Sequence, residues 1–385
     1  MYPYVKTEQH RLLQETIRKF AQNELEPIAA EIDRESRFPI EVFRKLGEIG
    51  CLGVSVEEKY GGADGDFTSV CIVVEELAKV SPGFAMSVMV HLGMVEHGAF
   101  EFANEDQRAR YLPRLCDGSA IGAFALTESS AGSDAAGLKT VAIKEGENYI
   151  INGSKTFITN PAADMDCIMV VTAQTGVRPD GKKEFSNFIV EKGQKGVSVG
   201  KHFDKLGMRC SPTSEVFFEN VIVHESNLVG VPGKGLRQAL TVLDYDRILA
   251  SCLAIGIIDR VLQESIRYAS TRHQFGLAIK EFQAIQFKIA DMESDLRIAR
   301  AMLAAALDNV HDRESLIMNA ASLKLFSTSA AMKHTLEAIQ IFGGYGYMKE
   351  YPVERFMRDN KLLEIGGGSS EILRLTIARK VLSKV

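Results

Sequence analysis

Apolar residues recur at three- to five-residue steps through the opening of the chain, with charged residues between them. This spacing joins Leu12, Leu13, Ile17, Phe20, Leu25 and Ile28. Such a period places the apolar side chains on one face of a helix, and Thr7 is positioned to cap its first turn. A glycine-rich loop at 59–65 interrupts the pattern, which resumes at 69–80 and again beyond Pro82. The sequence therefore predicts a helical region from residue 7 to about 118.

Near residue 120 the pattern changes to short β-type runs separated by turn residues. These runs fall at 149–151, 156–159, 168–172, 188–191, 197–199 and 216–218. Asn152-Gly153 lies between the first two and predicts a hairpin with a type I′ turn. Strands without interleaved helices favour an antiparallel barrel or sandwich over a βαβ nucleotide-binding domain.

The helical period returns after the turn at 230–235 and continues to the end of the chain. An apolar stripe of about six turns, at a period that favours packing in a helix bundle, runs through the next region. It consists of Ile285, Ile289, Met292, Leu296, Ala299, Leu303 and Leu307. We therefore divide the chain into a helical domain at 1–120, a β domain at 121–232 and a second helical domain at 233–385.

The composition narrows the classes of protein that fit this division. The 385 residues are 46% hydrophobic and 25% charged, with a formal net charge of −5. This is typical of a globular protein, and the mildly negative charge argues against a nucleic-acid partner. Six scattered cysteines without a C-x-x-C pair predict buried free thiols in a reducing compartment. No run of about 18 apolar residues and no basic leader with an apolar core appear, so we expect no membrane span and a cytoplasmic location.

Several common catalytic motifs are missing from the sequence. No G-x-G-x-x-G follows a predicted strand and no Walker loop is present, which argues against Rossmann and P-loop nucleotide sites. No G-x-S-x-G marks a serine hydrolase. The eight histidines lack ligand spacing, so a metal site is not expected.

Glycine-rich segments in a fixed order carry the strongest functional signal. The main segments are 125–137 (ALTESSAGSDAAG), 340–350 (QIFGGYGYMKE) and 358–374 (RDNKLLEIGGGSSEILR), supported by 243–247 (LDYDR) and 271–276 (TRHQFG). Each segment alone is weak, because glycine-rich turns are common. Their order and spacing cover nearly the whole chain, and together they resemble the acyl-CoA dehydrogenase family.

The resemblance implies an α+β multidomain fold. Its parts are an N-terminal α-helical domain, a middle antiparallel β-barrel and a C-terminal four-helix bundle. It also implies FAD between the β domain and the C-terminal helices, with a neighbouring subunit completing the pocket of a homotetramer. The implied substrate is an acyl-CoA thioester, and the implied electron acceptor is an electron-transfer flavoprotein.

The residues at the family's flavin positions suit that cofactor. Thr127 and Ser133 are short donors for the ring edge on which negative charge grows, and Gly132 permits close backbone approach. Arg272 offers a planar fork for the pyrophosphate. For Phe157, core packing is the alternative. The full set implied by the resemblance is Phe124, Leu126, Thr127, Gly132, Ser133, Phe157, Thr159, Arg272, Phe275, Gln283, Gln340, Gly343, Gly344, Ser369 and Glu371.

One position departs from the common family pattern. Many members carry a glutamate base in a Tyr-Glu-Gly-Thr run where this chain has Gly366-Gly367-Gly368-Ser369. A variant of the family typified by isovaleryl-CoA dehydrogenase also has glycine there, and its base precedes an arginine on the first helix of the C-terminal domain. The matching residue here is Asp246, before Arg247. Taken alone, such a pair is usually a cap or a surface salt bridge. Because Gly367 has no carboxylate, we predict Asp246 as the base that removes the α-proton while the β-hydride passes to the flavin.

The predicted substrate contacts are drawn from the same segments. They are Ser133, Asp244, Arg247, Gly367, Gly368 and His91. A satisfied helix histidine is an equal alternative for His91. Aspartate reaches about 1.5 Å less far than glutamate, one C–C bond, and the three glycines leave volume beside the acyl group. We therefore expect an alicyclic or short branched substrate such as cyclohexanecarboxyl-CoA.

Three other readings remain open at this point. The enzyme could act on short straight acyl chains, or it could use the same fold as a flavin oxidase or monooxygenase. A third possibility is an acyl-CoA-binding flavoprotein that lacks a base.

Overall fold

The N-terminal region of the computed structural model, which describes residues 2–383, is helical as the sequence predicts. Thr7 caps the first helix, because its side chain accepts a hydrogen bond from the backbone N–H of His10 at 3.1 Å. The α-helices are α1 (Glu8–Phe20), α2 (Ala29–Glu35), α3 (Ile40–Glu48), α4 (Phe67–Ala78), α5 (Pro82–Met89) and α6 (Glu105–Cys116). Two π-helical segments, Ala21–Leu25 and Val90–Ala99, continue α1 and α5. Short 3₁₀ turns occupy Glu26–Ile28, Glu58–Tyr60 and Phe100–Phe102.

The middle region is one sheet with mostly antiparallel pairing. Its strands are β1 (Ala120–Ala125), β2 (Val141–Glu145), β3 (Asn148–Thr159), β4 (Asp166–Val177), β5 (Lys183–Glu191), β6 (Val197–Val199), β7 (Thr213–His224) and β8 (Leu228–Val229). The strand order is β6-β7-β3-β2-β4-β5-β8, with β1 joined to β4. β1 runs parallel to β4, and so does β2 at its single Val141–Gln174 pair. Every residue of β1 is buried, and the strand packs against the π-helical segment Val90–Ala99 and against α6.

The predicted hairpin at Asn152-Gly153 is wrong. Both residues lie inside β3, where a register shift between Ile151 and Gly153 marks a bulge against β7. Gly153 has φ +147°, and a Cβ there would lie 2.5 Å from Thr140 Oγ1, so the glycine serves the bulge. The turn that joins β2 to β3 comes earlier, at Gly146 (φ +60°). The sequence therefore correctly predicted that Gly153 has a positive φ, but it assigned the residue to a turn and not to a β-bulge.

The C-terminal region is again helical. Its helices are α7 (Gly235–Thr271), α8 (Gln283–Asp308), α9 (Arg313–Phe342), α10 (Val353–Leu363) and α11 (Ser370–Leu382). Between α7 and α8 lie the two short strands His273–Gln274 and Leu277–Ala278 and a 3₁₀ turn, Ile279–Glu281, while a second 3₁₀ turn covers Gly343–Tyr347. The predicted stripe on α8 packs as expected: Met292, Leu296, Ala299 and Leu303 are all buried.

Helix α7 connects all three regions. It packs against α8 and α9 within its own region, against α4 of the first region and against β5 of the sheet. Gly256 allows the close approach of α4, because a Cβ there would lie 2.6 Å from Glu75 O. The part of α7 from 244 to 258 is therefore buried without interruption among these elements. All six cysteines are buried free thiols, as expected. Among residues 2–383, no helix is both long and apolar enough for a bilayer crossing.

Candidate functional site

A buried carboxyl group on α7 is the centre of the candidate site. Asp246 is 5% exposed, and within residues 2–383 no hydrogen-bond donor contacts its carboxyl. Burial raises the pKa of Asp246, and the positive charges of Lys324 and Arg247 oppose that rise. A buried carboxyl without a hydrogen-bonding partner is costly to stability, and such groups are concentrated at functional sites.

The glycine loop at 366–368 lies directly against this carboxyl. A Cβ built on Gly367 would lie 2.3 Å from Asp246 Oδ2, so the carboxyl fills the space that a side chain at position 367 would need. Gly367 and Gly368 have φ of +64° and +99°, in the region that favours glycine. The structure thus brings together the two positions that the sequence linked only through a missing glutamate.

Two buried cations hold the loop in this position. Lys324 on α9 donates hydrogen bonds from Nζ to Gly366 O and, at 2.8 Å, to Gly368 O. Arg247 Nε donates to Gly367 O at 3.2 Å. Three consecutive carbonyl groups are therefore fixed by side chains from two helices. Sequence reasoning missed Lys324, although a lysine between the buried residues Ala321 and Ser327 could have marked it.

Asp244, which was predicted to contact substrate, is already paired. Arg247 Nη1 lies 2.6 Å from Asp244 Oδ1, and Arg313 Nη1 lies 2.9 Å from Oδ2. Burial raises the pKa of Asp244, while the two arginines oppose that effect. Arg313 begins α9 and is 43% exposed, so this cluster reaches the surface. The sequence analysis did not identify Arg313.

The loop that carries Thr127 is fixed by a second buried lysine. Lys155 Nζ donates to Leu126 O at 2.9 Å and to Glu128 Oε1 at 2.8 Å, on either side of Thr127. Thr127 O accepts from the backbone N–H of Thr156 at 2.9 Å. The side chain of Lys155 is completely buried. Thr127 is therefore held rigidly at the end of β1, beside the second half of β3.

The predicted flavin residues of the β region fall into two groups by exposure. Phe124 and Leu126 are buried, whereas Gly132 and Ser133 are exposed and a Cβ on Gly132 would meet nothing within 4 Å. Phe157 is 68% exposed at φ +58°, so the core-packing alternative for its ring does not hold. Thr159 is half-buried on the same strand.

A second group of predicted residues lines a cavity of about 640 Å³ in the C-terminal region. These residues are Arg272, Phe275, Gly343 and Gly344. The Arg272 guanidinium lies 5.8 Å from the centre of the Tyr345 ring, and Phe275 is 95% exposed. Added Cβ atoms at Gly343 and Gly344 would meet nothing within 4 Å.

The remaining predicted flavin positions stand at helix ends. Gln283 is the first residue of α8, and Gln340 lies in the last turn of α9; both are exposed, and neither lines the cavity. Ser369 is the N-cap residue of α11, and Glu371 is exposed in its first turn. These four positions are therefore at helix ends in the C-terminal region, outside the lining of the cavity.

His91 is enclosed in the protein interior. It is 0% exposed, its Nδ1 accepts from the backbone N–H of Gly122 at 2.9 Å, and its Nε2 lies 3.2 Å from Glu96 Oε1. Its ring packs edge-on against Phe43. Nδ1 is satisfied, but within residues 2–383 neither Nε2 nor the Glu96 carboxyl has a hydrogen-bonding partner, so the alternative of a satisfied helix histidine is met only in part. Contact with the acyl group stays a prediction.

The residues present fit FAD. Exposed aromatic rings at Phe157 and Phe275 need apolar cover, and the open backbone at Gly132, Gly343 and Gly344 leaves room for a close-lying ligand. Arg272 adds a cation suited to a pyrophosphate.

Sequence profiles of three protein domains match consecutive parts of the chain. They are the acyl-CoA dehydrogenase N-terminal domain at 7–119, the middle domain at 123–221 and the C-terminal domain at 233–382.

Curated relatives match the chain over nearly its whole length. The probable acyl-CoA dehydrogenase YngJ of Bacillus subtilis is 43% identical, over 98% of each chain. The short-chain-specific acyl-CoA dehydrogenase of Clostridium acetobutylicum is 42% identical, over 97% of this chain and 98% of the relative.

Solved structures give the same result. Butyryl-CoA dehydrogenase from Megasphaera elsdenii is 36% identical with a TM-score of 0.93, covering 98% of this chain and 99% of that one. A chain from work on the electron transferring flavoprotein of Acidaminococcus fermentans is 37% identical, with a TM-score of 0.93 and 98% coverage of both chains. An acyl-CoA dehydrogenase from Bacillus anthracis complexed with FAD is 32% identical with a TM-score of 0.91, covering 100% of this chain and 68% of that one.

Proposed function

The chain belongs to the acyl-CoA dehydrogenase family, and from that premise we propose that it oxidises the Cα–Cβ bond of a short acyl-CoA thioester with Asp246 as the base. The observation that carries this proposal is the buried Asp246 carboxyl, which has no hydrogen-bonding partner among residues 2–383 and faces a glycine where a side chain would collide with it. The enzyme is an oxidoreductase, its cofactor is FAD and its fold is that of the family.

FAD supplies the acceptor for the β-hydride when it is bound. Thr127, Phe157 and Thr159 of the β region and Arg272, Phe275 and Gly343 of the C-terminal region would hold it. The Thr127 loop is in the β region and the Arg272 cavity is in the C-terminal region, so both regions would contribute residues to the cofactor site.

Asp246 must be ionised to accept the α-proton from the substrate. The nearby cations Lys324 and Arg247 favour the carboxylate, whereas burial favours the neutral acid. A substrate that excludes the remaining water would raise the pKa further and make the carboxylate a stronger base. The proton therefore moves to a carboxylate that the protein leaves free for it.

Short straight acyl chains are the substrates that the relatives' names favour. The Clostridium acetobutylicum relative is named short-chain specific and the Megasphaera elsdenii structure is a butyryl-CoA dehydrogenase. These names do not support our sequence-based expectation of an alicyclic substrate or of kinship with isovaleryl-CoA dehydrogenase. We therefore place butyryl-CoA and its near homologues first.

An alicyclic or short branched substrate is the second candidate. The observation that favours it is the glycine loop, in which a Cβ on Gly366 would meet no atom closer than 3.6 Å. Together with the short reach of an aspartate, that room suits a compact, wide acyl group held near α7.

We also propose an electron-transfer flavoprotein as the acceptor and a homotetramer as the assembly. The structure from the Acidaminococcus fermentans electron-transfer work, similar over 98% of both chains, supports the first. The 95% exposure of Phe275 beside the Arg272 cavity supports the second, because a neighbouring subunit would cover that ring.

A panel of thioesters tests the reaction and its substrate together. Butyryl-, octanoyl- and cyclohexanecarboxyl-CoA would be compared by kcat/KM with an artificial electron acceptor. We expect butyryl-CoA to be preferred by at least about tenfold, roughly 1.4 kcal/mol in transition-state binding. A preference for the cyclic thioester would favour the second candidate, and no turnover of any thioester would contradict the proposal.

Asp246→Asn tests the base. We expect the variant to retain FAD absorbance but to lose at least about 100-fold in the rate of flavin bleaching by substrate, because no carboxylate remains to take the α-proton. Asp204→Asn, at a side chain that is 92% exposed, is the matched control and should bleach at the wild-type rate. Undiminished bleaching in Asp246→Asn would remove Asp246 from the mechanism.

A further inference from the structure

Lys324 is a buried lysine that the proposed reaction does not require directly. It stands on α9 at 0% exposure, between helical turns whose inward residues are Ala320, Ala321 and Ser327. Transfer of an ammonium group from water to such a place is costly unless specific partners receive it. The contacts of Lys324 therefore indicate what the residue does.

The partners of Lys324 are backbone carbonyls and not a carboxylate. Its Nζ donates to Gly366 O and Gly368 O, the two carbonyls that flank Gly367. Within residues 2–383, no carboxylate oxygen lies within 4.0 Å of its Nζ. The positive charge is thus held in place without being neutralised by an ion pair.

The Asp246 carboxyl approaches the same glycine as the Lys324 ammonium. A Cβ on Gly367 would be 2.3 Å from Asp246 Oδ2 and 3.6 Å from Lys324 Nζ. The ammonium and the carboxyl therefore approach one point, the ammonium from α9 and the carboxyl from α7. The lysine acts on the carboxyl through space and through the loop.

We propose that Lys324 is the positioning residue of this site, fixing the Gly366–Gly368 loop against Asp246 and supplying the charge that keeps the carboxyl ionised before substrate binds. This inference rests on the proposed role of Asp246 as the base.

The other charges around Asp246 are paired with a different carboxylate. Arg247, next to Asp246 on α7, forms an ion pair with Asp244, in which Nη1 lies 2.6 Å from Oδ1. Arg313 on α9 faces the same Asp244 carboxylate at 2.9 Å. Lys324 and Arg247 both lower the pKa of Asp246, and the effect of Lys324 is the larger of the two. Burial lowers the pKa of Lys324 itself to about 8, so the ammonium is still the main form at pH 7.

Two substitutions separate the charge from the hydrogen bonds. Lys324→Gln keeps a donor for the loop but removes the charge, and Lys324→Met removes both. Without the positive charge, Asp246 should ionise only at higher pH in both variants. The acid limb of the pH profile of kcat/KM should therefore shift to higher pH by about one unit, which is a tenfold change in proton concentration. The Met variant should in addition show a higher KM, because its loop is no longer fixed.

Lys192→Met is the matched control. Lys192 also donates to two backbone carbonyls, Ala163 O at 2.5 Å and Met165 O at 3.5 Å, but it lies in the β region away from Asp246. Its removal should leave the acid limb in place. FAD absorbance and the thermal midpoint would be recorded for all variants, and if the Met variant loses FAD, the Gln variant decides.

An unchanged acid limb in Lys324→Gln with FAD fully bound would overturn the inference. If Asp246→Asn is inactive in that case, the proposed base stands and only the role of Lys324 fails. If Asp246→Asn bleaches normally, the proposed base itself fails. The two outcomes are therefore distinguishable.

Discussion

Gly367 is the residue whose missing side chain makes room for the Asp246 carboxyl. The structure places a hypothetical Cβ 2.3 Å from Asp246 Oδ2, a separation at which one group must shift. The backbone at Gly367, with φ +64°, adds strain for any other residue. Position 367 therefore controls where the carboxyl lies.

Gly367→Ala should lower kcat/KM by at least about tenfold while FAD stays bound, because the new methyl group displaces the carboxyl from its present position. Gly366→Ala is the matched control: its Cβ would lie 3.6 Å from Leu362 O, an ordinary contact. Steady-state kinetics and the flavin spectrum measure both. Equal activity in the two variants would show that the Asp246 carboxyl tolerates the displacement.

The resemblance to the family linked Asp246 with Gly367, because the glutamate expected at 367 is missing and a family variant carries its base at the position of Asp246. It did not predict Lys324 or Arg313. Both are on α9, far along the chain from Asp246, and their roles depend on how α9 packs against α7. A pattern of apolar spacing reports which face of a helix is buried, but not which carbonyl a buried lysine contacts.

At the scale of elements, the π-helical segment Val90–Ala99 explains the buried pair of His91 and Glu96. These residues are five positions apart, so the wider π turn brings them to the same face, with Nε2 and Oε1 3.2 Å apart. The Gly122 N–H donates to Nδ1, whereas among residues 2–383 neither Nε2 nor the Glu96 carboxyl oxygens make a hydrogen bond. The sequence predicted a helix here but not its local widening, because no composition rule marks a π segment.

Strand β3 depends on a buried ion pair at its centre. Lys155→Met should lower the free energy of unfolding by about 3 to 5 kcal/mol, because Glu128 would remain buried without its cation. Chemical denaturation of the holoenzyme measures the change. Lys144→Met is the control on the neighbouring strand β2, where the pair with Glu225 is exposed and its loss should fall within experimental error. Similar losses in both variants would contradict the role given to Lys155.

At Asn152-Gly153, where the predicted hairpin is wrong, the local sequence does not determine whether the chain forms a turn or a bulge. Asn152 Oδ1 accepts from the backbone N–H of Asn220 at 2.8 Å, and the Asn152 side-chain amide donates to Asn220 Oδ1 at 3.2 Å. The partner that selects a bulge over a turn is thus on β7, remote in sequence. Helices, whose hydrogen bonds are local, were predicted more accurately than this strand.

At the scale of the whole molecule, Asp359 joins the three regions. It is buried on α10 and accepts a hydrogen bond from the backbone N–H of Met208 in the β region. Asp33 of the first region lies near it and is paired with Arg358 at 2.8 Å. Burial, and next the charge of Asp33, raise the pKa of Asp359 to about 7.

The sign of this shift predicts how stability depends on pH. The folded state holds a proton on Asp359 up to about pH 7, whereas the unfolded chain releases it near the ordinary value of 3.8. The contribution of Asp359 to stability is therefore complete below pH 3.8 and is lost as the pH rises towards 7. Asp359→Asn stays neutral and can still accept the hydrogen bond from the Met208 N–H. As the pH rises from 4 to 7, its free energy of unfolding should therefore exceed that of the wild type by a few kcal/mol, at about 1.4 kcal/mol for each pKa unit.

Thermal or chemical unfolding from pH 4 to pH 8 measures this difference. Asp180→Asn, in an exposed turn of the β region, is the control and should follow the wild-type curve. Parallel curves for Asp359→Asn and the wild type would mean that Asp359 is already ionised in the folded protein.

The competition for space between a side chain at position 367 and the Asp246 carboxyl also bears on how such an enzyme could evolve. A lineage that moved its carboxylate from one position to the other by single substitutions would pass through an ancestor with two colliding carboxylates or with none. In the first ancestor one carboxylate would have to move aside, and the second would have no base. We therefore expect a transition in which both positions change together to be favoured over either single step.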